Sequence, residues 1–423
     1  MTARPADHIN IVDLFAGCGG FTQGFHELVP KGNDSSPFRT VGAVELDPAA
    51  ATTYAANFAT EAGGSRHIFA GDIKDWDPSD VDGDVDVILG GPPCQGFSGL
   101  GKEDPDDPRN QLWREYIKVV KKLEPKIFVI ENVDRFFISS EYRALRAAAD
   151  GGELKDYAIE SRHLVAADYG VPQVRKRTIV LATHRDLIKL HPQSAPMRHP
   201  TPTHSDPRKS TTGIFEETGD LRSWVPVSSI FGVKGRPQTL EYPVTTELPH
   251  GRYDLLGKEV PGPFKTTDLH IGRSPTPLSL RRYKDIPEGG NRHDLKPEHS
   301  TESWMNHRTG SHDVMGRMYI DRPSVTIRTE FYKPEKGRYL HPWANRPITH
   351  YEAALLQGFP EDFLWCGSKI EIARQIGNAV PVGLARAIAG QVYSYLSATG
   401  QLTGTIQEPA REVQTRATDG VSS

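Results

Sequence analysis

Short apolar runs alternate with amphipathic stretches along the first half of the chain. Ile11-Val12-Asp13-Leu14-Phe15, Val41-Gly42-Ala43-Val44, Val85-Asp86-Val87-Ile88-Leu89 and Ile127-Phe128-Val129-Ile130 each read as a short buried strand. Leu112 to Leu123 has helical spacing, and Thr178 to Thr183 repeats the strand pattern. Such alternation predicts an α/β fold with a mainly parallel sheet covered by helices. From about Gln193 to Trp343 the texture changes to frequent Pro, Gly, Ser, Thr and His with few long apolar periods. Helical patterning resumes at His350 to Gly358 and at Pro381 to Leu396. The expected organisation is a first domain over 1–192, a smaller loop-rich domain over 193–343, and a segment over 344–398 that packs back onto the first. A polar tail, expected to be mobile, fills 399–423. No internal repeat is evident.

Composition narrows the function classes. With 423 residues and 37% hydrophobic content the chain can bury a core in each of two domains. No apolar run approaches the ~20 residues of a membrane span, and Met1-Thr-Ala-Arg-Pro lacks the apolar core of a signal peptide. The expectation is a soluble cytoplasmic protein. Cys18, Cys94 and Cys366 form no CxxC pair and close no even disulfide framework, which suits a reducing compartment. A formal charge of -4 excludes coating of nucleic acid through bulk charge, so any such contact needs a local basic face. The 16 histidines are scattered without ligand spacing, and no metal is expected.

Four stretches carry candidate chemistry. Asp13-Leu-Phe-Ala-Gly-Cys-Gly-Gly-Phe is a strand running into a Gly-rich turn, where the backbone can approach a ligand closely. Its spacing lacks the full GxGxxG signature of dinucleotide binders. Glu45, at the end of the next strand, can accept both hydroxyls of a ribose, and Asp72 sits where a third loop could meet an adenine. Gly90-Gly-Pro-Pro-Cys-Gln-Gly-Phe-Ser98 holds the thiol of Cys94 on a stiff turn at a strand's end, as a candidate nucleophile. Its bland alternative is a small buried hydrophobe. Glu131, in Ile-Glu-Asn-Val, again follows a strand. Gln173-Val-Arg175-Lys-Arg177 would, by extended alternation, put its three named side chains on one side. Arg374-Gln-Ile-Gly-Asn378-Ala-Val-Pro381 lies far downstream and is expected to begin a helix.

These stretches, in this order from Asp13 to Pro381, resemble the DNA cytosine-5 methyltransferase family. Asp107-Pro-Arg109-Asn-Gln-Leu112 and Arg322-Pro-Ser-Val-Thr326-Ile-Arg-Thr match further family segments, the latter the one that organises the recognition domain. The resemblance implies a Rossmann-like S-adenosylmethionine-dependent methyltransferase fold with a target-recognition domain over the middle block. It implies a cofactor pocket of Phe15, Gly17, Gly19, Glu45, Leu46, Asp72, Ile73, Pro93, Leu112 and Asn378. It also implies Cys94 as nucleophile, Glu131 as the carboxyl at the ring nitrogen, Arg177 as donor to the cytosine carbonyl and Arg175 as brace. Carbon 5 of cytosine is a poor nucleophile, so thiolate addition at carbon 6 with protonation of the ring nitrogen is the chemical minimum.

The implied substrate is a flipped-out cytosine in a specific double-stranded DNA sequence. Gln95, Ser98, Gln173, Arg281 and Arg282 are the candidate DNA contacts. Ser98, Gly99 and Gly101 supply the small residues of a closing loop. Asn291-Arg292-His293 and Asn306-His307-Arg308 are further basic or amide candidates. The implied setting is a monomer acting on nucleoid DNA as the modification enzyme of a restriction-modification system, with an endonuclease as a separate partner. An RNA cytosine methyltransferase would use the same active site. A catalytically silent DNA-binding module and a nicotinamide-dependent oxidoreductase are the readings from other classes. Intact Cys94, Glu131 and Arg177 weigh against the first of these, and the incomplete glycine spacing against the second.

Overall fold

The structure is a computed structural model that describes residues 8–59, 64–93, 112–208, 221–306 and 311–402. Its first half contains β1 (Ile9–Leu14), β2 (Phe38–Glu45), β3 (Ile68–Ala70), β4 (Val87–Gly90), β5 (Ile127–Val133), β6 (Tyr157–Val165), a short β7 (Gln173–Val174) and β8 (Lys176–His184). Seven of these form one sheet in the order β3-β2-β1-β4-β5-β8-β6. β3, β2, β1, β4 and β5 are mutually parallel, whereas β8 runs antiparallel to both of its neighbours, β5 and β6. β8 is therefore the one reversed strand of that sheet. All of β4 and all but the last residue of β5 are buried, which explains their uninterrupted apolar runs. β6 sits at the edge and carries the polar run Glu160 to His163 at its centre, so it offers no comparable apolar run.

Helices α1 (Gly20–His26), α2 (Pro48–Phe58), α3 (Leu112–Leu123), α4 (Ser140–Ala149) and α5 (Arg185–Leu190) connect or follow these strands. The middle block adds α6 (Ser228–Phe231), α7 (Pro277–Asp285), α8 (Glu302–Asn306) and two-residue strands. The chain then forms α9 (His350–Gln357), α10 (Lys369–Asn378) and α11 (Val382–Ala398). Period-two alternation sends successive strand residues to opposite faces of the sheet. Ile11, Leu89, Val129 and Leu181 face Phe21 and Phe25 of α1 and Leu384, Ile388 and Val392 of α11. Val12, Ile88, Phe128 and Val180 face Tyr116 and Val120 of α3 and Leu145 of α4. The last helix thus completes one layer of the first half. Thr399 to Leu402 continue that packing, with Thr399 and Gln401 buried, so these residues of the expected tail are packed, and its remainder, 403–423, lies outside the described residues.

A third core joins the middle block to both. Tyr54 and Phe58 of α2 pack with Phe231, Phe264, Ile327 and Phe331 and with Ile372 and Ile376 of α10. Beside it, α9 starts with a reciprocal cap: Thr349 Oγ1 accepts from Glu352 N at 3.2 Å, and Glu352 Oε2 accepts from Thr349 N at 2.8 Å. Arg346 donates to both Glu352 oxygens, at 2.7 and 2.8 Å. Glu352 is fully buried. Burial alone would raise its carboxyl, but the Arg346 guanidinium and the Thr349 amide overcome it and hold the group at about 2.

Glu352→Gln leaves the Arg346 charge buried without a counter-charge, and is expected to cost about 3–5 kcal/mol in chemical denaturation at neutral pH. The carboxyl's folded value lies below its ordinary 4.5, so its contribution is present above 4.5 and is lost as pH falls toward about 2. Acid titration of unfolding should show that loss in the wild type and not in the variant.

Candidate active site

Ligands of open α/β sheets gather outside the carboxyl ends of the strands, where the strand order reverses. Here it reverses between β1 and β4, and a cleft of about 920 Å³ opens there. Phe15 at the end of β1, Glu45 at the end of β2, Asp72 after β3, Pro92 and Pro93 after β4, and Glu131 near the end of β5 all line it. Because β8 is reversed, its first residues reach the same edge, and Arg177 joins the lining.

One end of the cleft is built to hold a nucleoside. Phe15 takes φ +57°, a left-handed conformation uncommon for an aromatic residue and typical of strained functional turns. Gly17 follows at φ +56°, and its N–H donates to Glu45 Oε2 at 2.8 Å, while Asp47 N donates to Oε1 at 2.8 Å. Each carboxylate oxygen keeps a second lone pair for a ligand. Burial raises Glu45 above the usual carboxylate range, against the pull of these amide donors. Leu46, Ile73 and Phe15 supply apolar walls, and Leu46 is 66% exposed, as a ring-covering side chain would be. Asp72 Oδ1 accepts from Lys74 N at 3.0 Å and so fixes the loop that carries Ile73. These residues fit S-adenosylmethionine: hydroxyl acceptors, a close-approach backbone and flat apolar faces.

The other end holds the charged groups. On the paired strands β5 and β8, Val133 lies opposite Arg177 and Glu131 opposite Ile179, so Glu131 and Arg177 are diagonal neighbours on one face. Arg177 Nε lies 2.8 Å from Glu131 Oε1. The contact is off the hydrogen-bond axis, so Oε1 is buried without a hydrogen-bond partner. Asn132 Nδ2 donates to Pro92 O at 2.9 Å and ties the loop after β4 to the end of β5. Arg175 is 2% exposed and donates to Ile327 O at 2.9 Å and Gly377 O at 3.0 Å. Burial first, and the neighbouring Arg177 charge second, push its guanidinium well below the ordinary value.

Of the other expected residues, some lie outside the described residues and some stand away from the cleft. Cys94, Gln95 and Ser98, with Gly99, Gly101, Asp107, Arg109, His307 and Arg308, lie outside the described residues. Gly19 does not line the cleft: it sits at φ +90° with Phe58 so close that a Cβ would come 2.4 Å from the ring, so its need is packing. Gln173 does not line the cleft with Arg177. It is fully buried, donating to Gln357 Oε1 at 2.9 Å and accepting from Ile327 N at 2.9 Å, because β7 pairs with Ser324–Val325 instead of continuing β8. No atom of Gln173 is thereby offered to DNA. Arg282 donates to His299 O at 2.7 Å and covers the Trp304 ring at 5.1 Å, so it is tied within its own block, whereas Arg281 is exposed on α7. The Arg374 to Pro381 stretch begins a helix only through its last residue, Pro381, the N-cap of α11; its first part ends α10 at Asn378. Pro381 has no N–H to extend α10 and suits a helix start. Pro93, Leu112 and Asn378 line the cleft. So do Thr326, Arg328 and Gln375, which sequence reasoning missed; the alternation of Ser324, Thr326 and Arg328 with Val325 and Ile327 was the available signal. Among the described residues no three His, Cys, Asp or Glu side chains gather as metal ligands.

Comparison with known proteins agrees with this arrangement. Residues 9–394 match the family model of C-5 cytosine-specific DNA methylases. The chain is 31% identical to the type II methyltransferase M1.HphI of Haemophilus parahaemolyticus, over 91% of this chain and 86% of that one. It is also 31% identical to the type II methyltransferase M.DdeI of Desulfomicrobium norvegicum, over 92% and 89% of the two chains. Among solved structures it shares its fold with an E. coli prophage-encoded protein assigned as a DNA modification methyltransferase, at TM-score 0.61, 24% identity and coverage of 92% and 99%.

In the cleft lining, Asp13 is 1% exposed and accepts from Thr22 Oγ1 at 2.7 Å, with Tyr54 Oη 2.8 Å from the same hydroxyl. Burial, with a smaller push from Glu45, raises its carboxyl to about 7 despite the Thr22 bond. The folded state therefore keeps a proton that the unfolded chain releases near 3.8, and stability should fall as pH rises from 3.8 through about 7. Asp13→Asn is expected to flatten that slope in urea denaturation at a series of pH values; an unchanged slope would remove Asp13 as its source.

Proposed function

Because the chain belongs to the C-5 cytosine-specific DNA methylase family, we propose that its cleft methylates a flipped-out cytosine within a specific double-stranded DNA sequence, through a covalent adduct with Cys94. The chain is a DNA (cytosine-5-)-methyltransferase of an S-adenosylmethionine-dependent family. What supports the finer reading most is the end of the cleft where Glu131 keeps a buried oxygen without a hydrogen-bond partner beside Arg177, next to Pro92 and Pro93, from which the chain runs into Cys94.

A cytosine stacked in a duplex cannot reach a cleft at a sheet edge, so the target base must leave the helix. Cys94 thiolate then adds to carbon 6, with a carboxyl proton of Glu131 given to the ring nitrogen and Arg177 donating to the ring carbonyl oxygen. The electron pair freed by that addition makes carbon 5 a nucleophile. S-adenosylmethionine supplies, when bound, a methyl group on a cationic sulfur, and Phe15, Glu45, Leu46, Asp72, Ile73 and Asn378 are the residues that would hold it. Carbon 5 takes that methyl group, the broken bond's pair staying on the sulfur of S-adenosylhomocysteine; carbon 5 then loses its proton to a base, the pair from the broken C–H bond expels Cys94 as thiolate, and the ring nitrogen returns its proton to Glu131. Arg175 acts through its neighbours, locking the Ile327 and Gly377 carbonyls that shape the wall.

The type II naming of the relatives supports the further reading of a modification enzyme in a restriction-modification system, with an endonuclease acting separately. In that role it would work as a monomer on nucleoid DNA in the cytoplasm, with the block over 193–343 reading the sequence. Among the described residues no helix is long and apolar enough to cross a membrane.

With labelled S-adenosylmethionine and unmethylated genomic DNA, label is expected at carbon 5 of cytosine in one short sequence context. Cys94→Ala should abolish transfer, and Glu131→Ala should slow it ~100- to 10,000-fold while cofactor binding persists. Label absent from DNA but present in structured RNA would replace the DNA reading with an RNA one.

A further inference from the structure

Among the described residues, five basic side chains line the cleft, and three are tied within the protein. Arg177 is paired with Glu131, Arg374 with Asp47 at 3.1 Å, and Arg175 donates to two carbonyls. Lys74 is exposed beside Asp72 and Ile73, at the nucleoside end of the cleft. Arg328 is exposed and has no carboxylate partner among the described residues. Its backbone, in contrast, is held from every side. Ser324–Val325 pairs in parallel with Gln173–Val174, Thr326 Oγ1 donates to Val174 O at 3.1 Å, and Ile327 N donates to Gln173 Oε1 at 2.9 Å. Tyr339 Oη donates to Thr326 O at 2.9 Å. On the far side Gly377 presses on this segment so closely that a Cβ there would come 2.3 Å from Thr329 N.

A solvent-facing guanidinium on a fixed rim of the cleft, one residue on from Ile327, whose carbonyl Arg175 holds, is organised for an oxyanion arriving from outside. The anion that accompanies an extruded base is the backbone phosphate next to it. We propose that Arg328 is a positioning residue that grips a phosphodiester oxygen of the target strand and holds the flipped nucleotide at the mouth of the cleft. This rests on the DNA reading above. Phosphate contacts set register without reading sequence, so Arg328 affects how firmly the base is presented and not which base is chosen.

The test uses the full chain, S-adenosylhomocysteine, and an unmethylated duplex carrying the context found by the labelling experiment. Duplex binding is followed by fluorescence anisotropy across a KCl series for the wild type, Arg328→Ala and Arg328→Lys. For Arg328→Ala, Kd is expected to rise ~10- to 100-fold, as loss of a charge-assisted bond implies. The slope of log K against log salt should become shallower by ~1. The KM for DNA should rise with it while kcat stays within ~3-fold, the pattern of a lost binding contact. Arg328→Lys should restore the salt slope and only part of the affinity, because lysine keeps the charge and lacks the fork. Wild-type slope and affinity in Arg328→Ala would overturn the assignment. So would a parallel loss of S-adenosylhomocysteine affinity by calorimetry, which would move Arg328 to the cofactor. A wild-type protein that neither binds nor methylates duplex DNA would instead overturn the DNA reading itself.

Discussion

The antiparallel pairing of β8 with β5 is the constraint on which the site depends. A parallel β8 would begin at the opposite edge of the sheet, and Arg177 would be a strand's length from Glu131. Reversal brings the first residues of β8 to the carboxyl edge, and the register Val133 to Arg177 and Glu131 to Ile179 sets both charged groups on one face. At 2.8 Å and largely buried, the pair is close enough to orient each group and leaves an acidic oxygen without a hydrogen bond. Such a polar position is costly in a packed core, and it persists where surrounding structure over-determines it.

The surrounding structure does so through long-range hydrogen bonds. Asn132 holds Pro92, Gln173 holds Ile327 and Gln357, and Arg175 holds Ile327 and Gly377. Each bond joins parts of the chain that are 40 to 202 residues apart. The middle block is thereby attached at the cleft by the backbone of one segment, Ser324 to Thr329, while its own small core of Tyr283, Ile286, Leu295, Met315 and Leu340 lies apart. The cofactor end is organised separately, by Glu45 accepting from Gly17 and Asp47 across the turn. Both ends share one cleft, so in the proposed reaction methyl donor and acceptor base would meet without a moving carrier.

Electrostatics follow burial more than charge count. Asp13 and Glu45 are raised because burial penalises their charge, whereas Glu352, fully buried, is lowered because Arg346 faces both of its oxygens. The difference separates a structural ion pair from acids left to respond to a ligand.

Much of this was legible in the sequence. The runs at Ile11, Val41, Val85 and Ile127 announced buried parallel strands, since strands covered on both faces need no polar alternation. The order of the motifs announced the family, and with it a set of residues, Phe15, Glu45, Leu46, Asp72, Ile73, Glu131 and Arg177, that the structure gathers on one cleft. What only the tertiary structure decided was direction and depth. Extended alternation put Gln173 beside Arg177, but a cross-chain strand from Ser324–Val325 captured Gln173–Val174 and buried the glutamine. Glycine spacing grouped Gly19 with the ligand-contacting turn, but Phe58 arriving from α2 claims its open side. The polar segment around Thr326 and Arg328 read as part of a distant domain until its pairing with β7 put it on the cleft wall. Local periodicity encodes which elements form, because it depends on neighbours along the chain; which residues an element meets depends on partners tens to hundreds of positions away, and no local pattern carries that.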